Sequence, residues 1–104
     1  MVSEKDLRKL QQFKGVVSKG MPIERMLLFG SRAGGKNRKW SDYDLIVVSR
    51  AFEGQDTLKR PIGLYNLWDI NAPVDFICYT PGEFKRLSEE ITLAREAKLH
   101  GIAI

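Results

Sequence analysis

Apolar positions along the chain follow two different periods. Leu7, Leu10, Phe13, Val16 and Val17 recur at intervals of three and four, which predicts a helix opening after Ser3 and closing at Gly20. The Ser3 hydroxyl can accept an N–H of the first turn, and glycine readily adopts the backbone that ends a helix. Beyond Pro22 the pattern changes. Residues 23–29 read as a strand, with Glu24 and Arg25 near its start. Gly30-Ser31 turns out of that strand; a short helix can follow, but Gly34 and Gly35 favour a loop to about Ser41. Residues 43–49 are apolar on both faces, as in a strand with neighbours on each side. Residues 52–60 show no decisive period. Leu64, Leu67 and Trp68 predict a helix before Ile70, with Trp68 in the core. Pro73 opens a third strand over 74–79. Thr80-Pro81-Gly82-Glu83 then carries an N-cap, a proline at the first helical position and an acid at the third. Phe84, Leu87 and Ile91 supply that helix with an apolar face. A further helical stretch over 92–99 ends near Gly101, and 102–104 can add a short edge strand. The expectation is an α/β fold, a small mixed sheet with flanking helices.

Composition narrows the class. With 104 residues the chain suits one domain, 1–104, large enough for a modest core without staples. No apolar run approaches the roughly 18 residues of a membrane span, and the N-terminus lacks the pattern of a signal peptide. The one cysteine, Cys78, rules out an internal disulfide and is expected to pack as a small hydrophobe in a reducing compartment. With a single histidine, His100, it makes no zinc set. The expected location is the cytoplasm. A net charge of +4, from 17 basic and 13 acidic residues, permits an anionic partner without requiring one. Arg32, Lys36, Arg38 and Lys39 cluster in one loop, where a solvated surface is an equally good reading.

Two aspartates at the mouth of the most apolar strand change the picture. Asp42 and Asp44 are two residues apart, so on a strand they project to the same face. Two such charges about 4 Å apart repel by roughly 4 kcal/mol at an effective dielectric near 20. Something positive is needed between them: lysine, arginine or a divalent metal, for which oxygen ligands with open positions favour magnesium. Asp75, between Val74 and Phe76, can join them if the third strand lies beside the second. Three carboxylates can hold two metal ions about 3.5–4 Å apart, the arrangement used for in-line displacement at phosphorus. Gly30 lets backbone approach a phosphate, and Ser31 offers a hydroxyl. Taken singly, each piece has a bland alternative. An Asp-x-Asp can be a cap, a Gly-Ser a turn, Asp75 a structural ion-pair partner, and Trp40 can pack on its own domain rather than stack on a base.

Together they form a more specific pattern. Ten residues, 32–41, separate Gly30-Ser31 from Asp42, giving G-S-x10-D-x-D, a strand, and a later strand aspartate. The stretch LLFGSRAGGKNRKWSDYDLIVV resembles the signature of the minimal nucleotidyltransferases of the polymerase-β superfamily. APVDFICYTPGEFKRL resembles their third-carboxylate strand and following helix, so the likeness covers nearly the whole chain.

The resemblance implies a polymerase-β-like fold and specific roles. Asp42 and Asp44 would bridge two Mg2+ ions, and Asp75 would complete the site of the ion that activates the attacking hydroxyl. Gly30, Ser31 and Arg32 would bind the nucleoside triphosphate, with ATP as donor of AMP. The acceptor would be a hydroxyl on a helical HEPN-type partner protein, which would make this chain an antitoxin that modifies its toxin. A partner, or self-association, must complete so small a site. Many relatives carry a second arginine where this chain has Gly34, which bears on catalytic vigour; Lys36 or Arg38 could compensate. A second reading is therefore a non-catalytic antitoxin that neutralises its partner by occlusion. A third, a nucleic-acid-binding module, is weakened by the lack of a recognition helix or an aromatic-basic RNA motif.

Overall fold

A computed structural model of the chain describes residues 2–30 and 42–104. Helix α1, Glu4–Ser18, starts at Ser3, whose side chain accepts the Asp6 N–H, and it buries Leu10, Phe13 and Val17. Strand β1, Arg25–Phe29, follows; it begins two residues later than its apolar pattern suggests. Strand β2, Tyr43–Val48, leads into a single 3-10 turn, Arg50–Phe52, and then to the short helix α2, Ile62–Leu67. Strand β3 is Val74–Tyr79, helix α3 Pro81–Ser88, helix α4 Leu93–His100 and strand β4 Ile102–Ala103.

The four strands form one mixed sheet in the order β3-β2-β1-β4. The central β2 runs antiparallel to β1 and parallel to β3, and β4 pairs antiparallel with β1. This position explains the composition of β2. Its alternating side chains enter two separate apolar layers. Tyr43, Leu45 and Val47 join Leu10, Phe13, Val17 and Leu64 beneath α1 and α2. Ile46 and Val48 join Phe84, Ala94 and Ala97 of α3 and α4 on the other side. A strand flanked by both layers has no face on which polar residues would be at ease.

Helix α3 carries the capping box that its sequence promises. The Glu83 N–H donates to Thr80 Oγ1 at 3.2 Å, and the Thr80 N–H donates to Glu83 Oε1 at 2.9 Å. The helix stops at Ser88, however, so Ile91 does not extend its apolar face and is 95% exposed. Val16, which continues the apolar spacing of α1, is likewise 46% exposed, because α1 turns that side outward. Trp68 does enter the core layer. Cys78 packs at its margin, and burial pushes its thiol pKa up to about 12, as befits an inert small hydrophobe. No helix among the described residues is long and apolar enough to cross a membrane.

Candidate active site

Sheet register brings the aspartates together. At one end of the sheet β1 finishes while β2 and β3 begin. There Asp44 is paired with Phe29 of β1 on one side and with Asp75 of β3 on the other. Both aspartates alternate with residues of the α1–α2 layer, so both side chains leave the sheet on the α3–α4 side, which the helices do not cover at this end. Asp42 lies just before β2. Asp44 is half-buried, while Asp42 and Asp75 are exposed. Burial raises the Asp44 pKa above its ordinary 3.8, and the charges of Asp75 and then Asp42 raise it further. The three carboxylates therefore share one electrostatic neighbourhood, and no cation of the described residues pairs with any of them.

Gly30 closes the arrangement from β1. Its φ of +80° belongs to the left-handed region, which glycine adopts without penalty. A Cβ placed there would lie 2.5 Å from Asp44 Oδ2 and 3.4 Å from its carboxyl carbon. The carboxylate thus rests against bare backbone, in space that any side chain would fill. Sequence reasoning gives Gly30 a role toward phosphate; its contact with Asp44 follows from antiparallel register and could not be read from spacing. Ser31, Arg32, Gly34, Lys36, Arg38, Lys39 and Trp40 lie outside the described residues.

The donors fit a hard divalent cation in kind: three carboxylates, on adjoining chain segments, at one end of the sheet. They are not drawn into a finished cage. No group of three or more histidine, cysteine or acidic residues among the described residues is close enough, as it stands, to hold an ion. Binding would require the exposed Asp42 and Asp75 side chains to contract toward Asp44.

A second polar knot lies away from this end, and sequence reasoning misses it. Arg60 is buried, its side chain only 6% exposed, and it donates to Glu83 Oε1 at 2.6 Å and Oε2 at 3.3 Å. It also donates to the carbonyls of Gln55 at 3.2 Å and Cys78 at 3.3 Å. One guanidinium thereby ties the irregular segment after β2 to the end of β3 and the cap of α3. The side-chain hydrogen bond from Arg60, and after it the Thr80 backbone N–H, hold the Glu83 carboxyl below its ordinary pKa. A lone arginine in a polar stretch carries no local sign of such burial.

An α/β sheet with carboxylates gathered at one strand end, beside a glycine that admits close approach, offers the kind of donors used by enzymes that handle phosphates through divalent cations. Sequence comparison gives the family. Residues 10–102 match the family model described as the nucleotidyltransferase domain, and the chain belongs to that family. Its general activity is accordingly transfer of a nucleotidyl group. No curated protein matches the chain significantly. Among solved structures it is similar to a provisionally assigned nucleotidyltransferase from Sulfolobus solfataricus, with 23% identity and a TM-score of 0.67, over 93% of this chain and 77% of that one. It is also similar to BolA1 from Arabidopsis thaliana, with 17% identity and a TM-score of 0.54, over 72% of this chain and 94% of that one. At these identities the likeness concerns the fold, which by itself assigns no reaction.

Proposed function

We propose that this nucleotidyltransferase moves AMP from ATP to a hydroxyl of a partner protein, in a Mg2+-dependent reaction that releases pyrophosphate. The observation that carries the reading is the register pair Asp44–Asp75, with Asp42 just before β2 and Gly30 packed on the Asp44 carboxylate. Asp42 and Asp44 would hold both Mg2+ ions and Asp75 one of them. Bound there, the ions would offset the triphosphate charge and ease ionisation of the acceptor hydroxyl. Gly30, Ser31 and Arg32 would contact the β- and γ-phosphates of the triphosphate. Asp75, on the edge strand β3, would be the carboxylate on the acceptor's side. The acceptor oxygen bonds to the α-phosphorus as the α–β anhydride bond breaks, pyrophosphate departs with its electron pair, and the hydroxyl proton passes to solvent.

A helical HEPN-type toxin is the partner we propose as bearer of the acceptor hydroxyl, with this chain as its antitoxin. The reading is tested by incubating the protein with Mg2+ and each of the four α-labelled nucleoside triphosphates, alone and with the product of an adjacent gene. Label from ATP moving to the partner supports it. Label moving to RNA redirects the acceptor. Neutralisation of the partner without any transfer supports occlusion instead.

A further inference from the structure

Beneath the carboxylates, on the opposite side of the sheet, lies a cluster of five aromatic rings. Trp68 and Phe76 each meet three of the others. The Trp68 ring centroid lies 5.0 Å from Phe13, 5.6 Å from Tyr43 and 5.8 Å from Phe76, each in an edge-on arrangement. Phe76 also stacks on Phe13 at 5.6 Å and meets Tyr65 edge-on at 5.0 Å. Two of these rings are chain neighbours of the acidic residues. Tyr43 stands between Asp42 and Asp44, and Phe76 follows Asp75. With side chains alternating across a strand, fixing Tyr43 and Phe76 from below fixes the backbone that aims the carboxylates above.

Trp68 also makes a bond that packing alone does not require. Its indole N–H donates to the Ala72 carbonyl at 2.8 Å, holding the turn that leads into β3. In the next residue, the Pro73 carbonyl accepts the Tyr43 N–H at 2.9 Å, the first rung between β3 and β2. The chain of contacts is short: indole, Ala72 carbonyl, Pro73 carbonyl, Tyr43, then the register that sets Asp44 opposite Asp75.

We infer that Trp68 is a positioning residue for the metal-binding carboxylates, acting through the Ala72 carbonyl to set the spacing of Asp75 from Asp44. This rests on the reading of Asp42, Asp44 and Asp75 as the Mg2+ site. It gives the indole a role that phenylalanine, which keeps an aromatic ring but has no donor, cannot take over.

The test compares the original protein, Trp68→Phe and Phe13→Leu. Phe13→Leu trims the same cluster but leaves the indole bond intact. Three quantities are read: metal-free melting temperature, the Mg2+ concentration for half-maximal ATP binding, and hydrogen exchange of the Tyr43 amide. Both variants melt lower. Only Trp68→Phe is expected to raise the Mg2+ midpoint, about fivefold, the factor equivalent to about 1 kcal/mol for one hydrogen bond. Only Trp68→Phe is expected to speed Tyr43 amide exchange beyond what the lost stability explains. Equal Mg2+ midpoints in the original protein and Trp68→Phe would overturn the inference and leave Trp68 as core filling. Equal rises in both variants would also overturn it, since general softening would then suffice. If the original protein shows no Mg2+-dependent ATP binding, the reading of the site fails, which is a separate result. Should Trp68→Phe not fold, benzothienylalanine at position 68 keeps the ring volume and removes only the N–H donor, and the same midpoint decides.

Discussion

Replacing Gly30 by alanine puts one methyl group where the Asp44 carboxylate now rests. Two penalties follow, and they fall on different observables. The first is backbone: alanine at φ +80° is held in the left-handed region, at a cost of about 1–2 kcal/mol. For a domain near this size each kcal/mol lowers the melting temperature by about 4–8 °C, so Gly30→Ala should melt roughly 4–16 °C lower. The second is position. The new Cβ would meet Asp44 Oδ2 at 2.5 Å. Oδ2 belongs to a short side chain that can rotate, so the stability cost is small. Ordinary contact nonetheless requires the oxygen to retreat by about 1 Å, and a misplacement of that size can cost about 100-fold in rate. The assay is thermal unfolding with chelator and then with Mg2+ and ATP, beside label transfer, for the four members of the Gly30→Ala, Asp44→Ala cycle. The backbone penalty should persist when Asp44 is absent. The loss of ligand-induced stabilisation should appear only when Asp44 is present, so the two changes are non-additive for ligand response. Unchanged melting in chelator together with an unchanged Mg2+–ATP shift would refute both the strained-backbone argument and the cradle.

Asp44→Asn should raise the metal-free melting temperature at pH 7, because burial, Asp75 and Asp42 all raise the Asp44 pKa. The sign follows from linkage: the penalty is absent below the ordinary 3.8, grows as pH rises through the folded value, and is relieved by added cation. A lower-melting Asn variant in chelator would contradict this. Glu83 has the opposite sign. Its lowered pKa adds stability that is full above the ordinary 4.5 and is lost as pH falls through the folded value, so Glu83→Gln should flatten the acid limb of a stability–pH curve. Arg60→Ala strands the Gln55 and Cys78 carbonyls and one carboxylate. It should cost about 3 kcal/mol, at the low end for a broken buried pair because the Glu83 side chain is 32% exposed. Arg60→Met with Glu83→Gln should recover much of that loss in chemical denaturation; a double variant as unstable as Arg60→Ala would show that the carbonyl contacts dominate.

The parts of the fold that local chemistry dictates were legible in the sequence. Three- and four-residue spacing placed α1. Apolar residues on both faces marked β2 as central, and Thr80-Pro81-Gly82-Glu83 marked the start of α3. Errors arose where one residue's fate depends on distant partners. Ile91 continues a helical pattern that the chain has already left, and Val16 has the right spacing but no layer above it. The segment over 52–60 had no period because its order comes from Arg60, whose acidic partner is 23 residues away. The site divides in the same way. Spacing alone put Asp42 within electrostatic reach of Asp44, and the glycine announced a turn. Setting Asp75 beside Asp44 needed the parallel register of β3, and setting Gly30 against the carboxylate needed the antiparallel register of β1.

The central claim is that Asp42, Asp44 and Asp75 converge on divalent metal that carries the triphosphate. A crystal grown with Mn2+ and a non-hydrolysable ATP analogue tests it most directly, through anomalous scattering from the metal. The account predicts anomalous peaks within coordination distance of the Asp42 and Asp44 carboxylates, one of them shared with Asp75, and the analogue's phosphates beside Gly30. A bound analogue with its metal elsewhere, and all three carboxylates left uncoordinated, would contradict it.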